Sequence, residues 1–208
     1  MKVAVLASGE GTNLQAVLDR VHGREGVEVV AVASDKPGAR ALARARAAGV
    51  AAELFPRPDY PGRREHDLAM ATWLERHGTE LVVLADYMQL LDPAFLDRFR
   101  RRVINVHPAL LPAFPGLRAV EQALAYGAKV FGVTVHFVDE GVDTGAVIAQ
   151  RAVELPEATD SDSVRAALRP LEHDLLCDAV RQIARGALAL DSENPRRVLV
   201  RPMYGAAG

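Results

Sequence analysis

The chain has 208 residues, half of them hydrophobic and a quarter charged, with a formal net charge of -2 and a pI near 6.3. That is enough chain to bury a large core without disulfide or metal support, and its weak acidic balance excludes a general polyanion binder, so no nucleic-acid partner is expected. The lone Cys177 cannot make an internal disulfide, and no apolar run is long enough for a signal peptide or a membrane span; the sequence reads as cytoplasmic, with no membrane partner.

Short apolar runs alternate with helical stretches through the first half. Val3–Ala7 is strand-like and ends at Ser8-Gly9. Thr12–Val21 reads as a helix with Leu14, Val17, Leu18 and Val21 on one face. Val27–Ala33 is a second strand, Ala39–Ala48 a helix stopped by Gly49, and Val50–Phe55 a third strand. Arg64–His77 is a helix stopped by Gly78, and Leu81–Ala85 is a fourth strand, apolar throughout as burial on both faces requires. This alternation predicts an open, Rossmann-like α/β fold: a mostly parallel twisted sheet with helices on both faces.

The second half changes character. Val103–Val106 is a fifth strand, followed by a proline-rich loop from Pro108 to Gly116 and a helix over Arg118–Tyr126. Val130–Val138 and Ala146–Glu154 form an antiparallel hairpin around the loop Asp139-Glu140-Gly141-Val142-Asp143-Thr144-Gly145. Ser161–Gly186 is largely helical, with Asp160 or Ser161 as N-cap and Pro170 expected to kink or interrupt it. The tail has one strand-like piece, Arg197–Arg201.

Two constellations carry chemistry. Ser8-Gly9-Glu10-Gly11-Thr12-Asn13 lies between the first strand and the first helix, where glycines admit a ligand and helix N–H groups favour an anion. Alone, the segment fits a tight turn as well as a phosphate site. It is neither a G-x-G-x-x-G fingerprint nor a P-loop, so NAD and ATP are poorly supported. The second constellation is Asn105 and His107, which strand periodicity puts on one face at the end of a buried strand, with Pro108 stiffening the exit. Asp143 by itself reads as an ordinary turn aspartate.

Asn105-Val106-His107-Pro108-Ala109-Leu110-Leu111-Pro112 followed by Phe114-Pro115-Gly116, and Gly132-Val133-Thr134-Val135-His136-Phe137-Val138 followed by Asp143-Thr144-Gly145, resemble the two signatures of folate-dependent formyltransferases. Ser8 to Asn13 narrows the resemblance to the phosphoribosylglycinamide formyltransferases of purine synthesis, and Leu84 to Leu91 lies where that family binds folate. The likeness runs over residues 1 to about 185.

The resemblance implies transfer of a formyl group from 10-formyltetrahydrofolate, a co-substrate, to the amine of 5'-phosphoribosylglycinamide, with no metal required. Asn105, His107 and Asp143 match the family's catalytic residues: Asn105 and a protonated His107 as donors to the developing oxyanion, Asp143 as the carboxylate that stabilises the charged imidazole and holds a proton-relaying water. Gly11, Thr12 and Asn13 match its phosphate site, and Glu172 the carboxylate near the ribose and amine. For folate it implies Arg63 (with Arg64 adjacent) at the glutamate tail, Met88, Gln89, Leu90, Leu91, Val138 and Glu140 around the pterin, and a shared contact with Asn105; Leu84 and Phe95 are further candidates for the apolar slot. Gln89 stands where the family often has arginine, Asp86 where it often has glycine and Ala109 where serine is frequent, and Phe131 is unusual before Gly132. Asp86 would put a second carboxylate beside the folate slot.

Residues 1–208 read as a single formyltransferase domain: a phosphate-binding Rossmann-like half over 1–100, a catalytic and folate-binding half over 101–190, and a tail over 191–208. Monomer and homodimer both remain open. The nearest rivals are other formyl-folate transferases or hydrolases on the same core, which are expected to carry a further RNA-binding or regulatory domain or to lack the Gly11-Thr12-Asn13 match. A more distant rival is a non-catalytic phosphate or nucleotide sensor, which leaves Asn105, His107 and Asp143 unexplained.

Overall fold

The structure is a computed structural model that describes residues 1–200. Buried apolar runs make the first strands: β1 (Lys2–Leu6), β2 (Glu28–Ser34), β3 (Ala51–Leu54) and β4 (Leu81–Leu84). They alternate with α1 (Thr12–Arg20), α2 (Arg40–Ala47) and α3 (Arg63–Arg76). A short helix, α4 (Pro93–Arg98), precedes β5 (Val103–His107). Then come α5 (Ala119–Tyr126), β6 (Val130–Phe137), β7 (Val147–Glu154) and α6 (Ser161–Ala184).

Seven strands form one sheet in the order β3-β2-β1-β4-β5-β6-β7. The first five are parallel, while β6 and β7 run antiparallel at the edge. The expected fold class is therefore the observed one. Strand order reverses between β1 and β4, and a crevice opens at the carboxyl ends of strands at such a switch point. The loops leaving β1 and β4 flank it. One face of the sheet is covered by α1, α2, α5 and α6 over a core that includes Leu14, Ile104 and Leu175; the other carries α3 and α4 over Met70, Leu74, Phe95 and Phe99.

Three local expectations change. Pro170 lies inside α6 without interrupting it. Leu168, Leu175, Leu176, Ala179 and Val180 are buried along that helix, and their packing outweighs the one backbone donor that proline removes. Asp160 is its N-cap, accepting the Ser163 N–H at 2.8 Å. The second difference is α4, which the hydrophobic pattern does not reveal because six residues are less than two turns. It starts by rule: Asp92 caps the Ala94 N–H at 2.9 Å and Pro93 takes the first helical position. Third, the strand-like piece expected at Arg197–Arg201 forms β9 (Val198–Val200), paired with an unanticipated β8 (Leu188–Leu190). Arg201 and the rest of the tail to residue 208 lie outside the described residues.

A buried polar group joins α3 to the site. His66 and Asp67 are both buried; the His66 Nδ1 lies 2.6 Å from Asp67 Oδ1, and its Nε2 lies 2.9 Å from the Phe55 carbonyl oxygen. Asp67 Oδ2 accepts the Asp92 N–H at 2.7 Å, which fixes the end of the loop after β4. Among the described residues, no helix is long and apolar enough to cross a membrane.

Phe95 is fully buried against Phe99, with ring centroids 5.1 Å apart. Phe95→Ala is expected to cost about 3–5 kcal/mol of folding stability, read from the urea midpoint and its slope.

Candidate active site

Asn105 and His107 do share one face of β5, as the period-two reading requires. Register places Asn105 beside Leu84 of β4 and opposite His136 of β6, while His107 pairs with Thr134. The third group arrives from the hairpin loop. A Cβ on Gly145 would lie 1.8 Å from the Phe137 carbonyl oxygen, so only glycine lets the loop fold this tightly back on β6. Asp143, held at φ 53, is thereby set over the end of β5.

The donors converge on the Asp143 carboxylate. Gly116 N–H donates to Oδ2 at 2.7 Å, and His107 Nδ1 lies 3.3 Å from the same oxygen. Asn105 Nδ2 donates to Oδ1 at 3.4 Å, and His136 Nε2 is 3.5 Å from it. His107 is buried, and its Nε2 donates to the Phe114 carbonyl at 2.9 Å. Both ring nitrogens of His107 therefore face acceptors, an arrangement that only the doubly protonated ring satisfies in full. Burial alone would raise the Asp143 carboxyl, but hydrogen bonds from His136 and the Gly116 N–H, with the charges of His107 and His136, outweigh it and hold it at about 2.

Behind these groups, Thr134 pins the proline-rich loop. Its buried hydroxyl donates to Ala109 O at 2.7 Å and accepts the Leu111 N–H at 3.1 Å and Gln150 Nε2 at 2.9 Å. Phe114 and Gly116, which grip His107 and Asp143, lie at the far end of that loop.

The loop after β1 has the geometry of an anion site at its backbone. Gly11 takes φ 70 as the N-cap of α1, and a Cβ there would sit 2.9 Å from the Ala41 Cα. No side chain caps α1, so the N–H groups of its first turn lack a capping partner. Neither Thr12 nor Asn13 caps the helix. Asn13 is fully buried. Its Nδ2 donates to Asp86 Oδ2 at 3.3 Å and to Glu172 Oε2 at 3.4 Å. Asp86 sits at φ 61, and its carboxylate shares the Asn13 amide with Glu172.

The two loops at the switch point are stitched together. Ser8 N–H donates to Asp86 O at 3.0 Å, and Ser8 Oγ accepts the Met88 N–H at 3.0 Å while donating to Asp35 Oδ1 at 2.6 Å. Gln89 Nε2 donates to the other oxygen of buried Asp35 at 3.1 Å. The Gln89 amide nitrogen thus serves the loop.

The remaining folate candidates divide. Met88 and Leu90 are 53% and 56% exposed, unusual for such residues, at the carboxyl end of β4. Leu91 is buried and Val138 packs against the same core cluster. Leu84 is buried in that core to about the same degree as Leu91, and Phe95 is fully buried there. Glu140 is exposed on the hairpin loop. Arg63 and Arg64 both reach Asp92, at 3.8 and 3.9 Å, so the structure does not single one out. Among the described residues, no group of three or more His, Cys, Asp or Glu is placed to hold a metal ion.

The family described as "Formyl transferase" matches residues 1–180. The chain belongs to the formyl transferase family. A phosphoribosylglycinamide formyltransferase of Bacillus subtilis is 38% identical over 88% of this chain and 94% of its own, and one of Mycobacterium tuberculosis is 42% identical over 88% and 85%. The trifunctional purine biosynthetic protein adenosine-3 of Drosophila melanogaster is 40% identical over 92% of this chain, which spans only 14% of that protein. Among solved structures, glycinamide ribonucleotide transformylase 1 of Symbiobacterium toebii superposes with a TM-score of 0.93 at 44% identity, covering 97% of this chain and 94% of the other.

In this formyl transferase, sequence reasoning missed His136. It is buried, donates Nδ1–H to Phe137 O at 2.8 Å, and presents Nε2 to Asn105 Nδ2 at 3.3 Å and to Asp143. Unprotonated it takes the Asn105 N–H; protonated it becomes a donor to Asp143. The available signal was the alternation of Thr134 and His136 with Val133 and Val135 in a buried strand. Ser8 stood in the first constellation, but nothing in the sequence joined it to Asp35.

The depressed Asp143 carboxyl makes a stability prediction. Its folded value of about 2 lies below the ordinary 3.8, so its contribution is present above about pH 4 and is lost as pH falls toward 2. Wild-type protein is expected to exceed Asp143→Asn by about 1 kcal/mol at pH 6, after allowance for solvent screening, and the gap in urea midpoints is expected to close near pH 2.

Proposed function

We infer that this chain transfers the formyl group of 10-formyltetrahydrofolate to the amine of 5'-phosphoribosylglycinamide, giving the formylated ribonucleotide and tetrahydrofolate. The observation that carries this reading is the convergence of Asn105, His107 and Asp143 on one point beside an anion-favouring helix N-terminus. A phosphate sensor has use for the helix end but none for the three converging groups.

The chemistry follows from the donors. The amine nitrogen adds its lone pair to the formyl carbon, and the carbonyl electrons move onto the formyl oxygen. Asn105 Nδ2–H and His107 Nδ1–H, held at long and weak contacts to Asp143, are available to that oxygen. Such preorganised donors each contribute about 3 kcal/mol of barrier lowering. The Asp143 carboxylate stays beside the His107 ring throughout. It also offers an oxygen to a water that carries the proton from the attacking amine to the departing N10. The nitrogen–carbon bond to the folate then breaks and the amide remains.

Gly11 and Thr12 supply backbone N–H groups for the phosphate, with Glu172 facing the acceptor side. The exposed Met88 and Leu90, next to buried Leu91 and Val138, fit the flat apolar face of a pterin, and backbone groups around Leu91 with the Glu140 loop fit its polar edge.

Purified protein given phosphoribosylglycinamide and 10-formyltetrahydrofolate is expected to release tetrahydrofolate only when both are present. Release without the acceptor would indicate a hydrolase, and no release a different acceptor. Asn105→Ala is expected to lower kcat by about 100-fold while the ligands still bind, measured by steady-state kinetics and calorimetry.

A further inference from the structure

None of the groups at the Asn105–His107–Asp143 centre comes from the chain beyond α6, yet that chain reaches the loop on which Asp143 stands. Arg196 Nη1 donates to the Thr144 carbonyl at 3.1 Å, one residue beyond Asp143. Next to it, Arg197 bridges in parallel to Val147, the first residue of β7. The segment between β8 and β9 therefore lies along the sheet edge at the end where the hairpin loop closes.

Arg196 is exposed, but folded chain carries it. Leu188 of β8 and Val198 of β9 pack against the core that α6 covers. Asp191 holds the turn between them. Its N–H donates to Arg197 O at 2.9 Å, its Oδ1 accepts the Glu193 N–H at 2.9 Å, and its Oδ2 lies 3.6 Å from Arg197 Nη1. The Asn194 side-chain oxygen accepts the Arg196 N–H at 3.0 Å. The receiving loop has a conformation to maintain. Asp143 takes φ 53, in the left-handed region that a residue with a side chain disfavours. Asp139 Oδ1 secures the loop from within, accepting the Gly141 N–H at 3.1 Å and the Thr144 hydroxyl at 2.6 Å. Arg196 fastens the Thr144 backbone from outside.

We propose that Arg196 is a positioning residue for Asp143: the C-terminal hairpin uses it to fix the Thr144 peptide, and with it the direction from which Asp143 meets His107 and Asn105. The role presupposes formyl transfer at that centre. Contacts with His136, Gly116 and His107 hold the Asp143 carboxyl low, so Arg196 acts on it through the backbone. Rate is sensitive to such a hold, because a displacement of about 1 Å at a reacting centre can lower turnover by about 100-fold.

Arg196→Ala frees the Thr144 carbonyl and leaves the rest of the loop in place. It is expected to lower kcat about tenfold, with the KM for phosphoribosylglycinamide unchanged, since the anion loop leaves a different strand. The urea midpoint is expected to stay at the wild-type value, as for most exposed side chains. Arg196→Lys is expected to recover most of the rate, because an ammonium also donates to a carbonyl. Followed by carbon NMR, the Asp143 carboxyl is expected to titrate above its wild-type value of about 2 in Arg196→Ala, its donors being less well aligned, and to return toward it in Arg196→Lys. An unchanged kcat in Arg196→Ala, a carboxyl that titrates there as in the wild type, or a rate loss matched by a fall in the urea midpoint would overturn the assignment. Wild-type protein that binds both substrates without forming product would refute the functional reading alone, the Asp143 titration still deciding the role of Arg196.

Discussion

The Asp143 carboxylate is the point on which the site is assembled. Burial works against its charge, and the fold compensates with four donors from three separate stretches: the Gly116 N–H, the His107 and His136 rings, and the Asn105 amide. Each is delivered by backbone that has little freedom. Asn105 and His107 are fixed by β5, His136 by its register in β6, and Gly116 by a loop that Thr134 anchors. Removing the charge would leave these donors directed at a neutral group. The same arrangement keeps two donors at long range from their acceptor, poised for an oxygen that gains charge only during reaction.

The sheet accounts for why such groups can meet at all. Parallel strands buried on both faces end together, and their carboxyl ends gather loops distant in sequence. Antiparallel β6 and β7 then return a hairpin loop over those ends. The reversal of strand order between β1 and β4 opens the gap beside them. Solved relatives with the same architecture and 44% identity place this chain securely in its family, while the chemistry is argued from the side chains.

Much of the fold was legible because β1 to β5 are apolar runs punctuated by glycine and proline. Where legibility failed, the cause was non-local. Pro170 is tolerated through packing that no window of sequence displays, and α4 is too short to express a period. Asn105 and His107 could be paired from strand alternation, but Asp143 could be joined to them only through a resemblance, since the loop closure depends on how closely Gly145 approaches Phe137. His136 stayed hidden because it depends on register. The contact of Asp86 with Asn13 could not be read either, because its direction is set by a left-handed backbone angle, which the residue type does not announce.

Ser8 bonds at once to Asp35, to the Met88 amide and, through its own N–H, to the Asp86 carbonyl. The two loops at the switch point therefore behave as one rigid lip. An insertion in either would break hydrogen bonds in the other. A replacement at Asp35 would strand two donors at once, the Ser8 hydroxyl and the Gln89 amide, one on each loop.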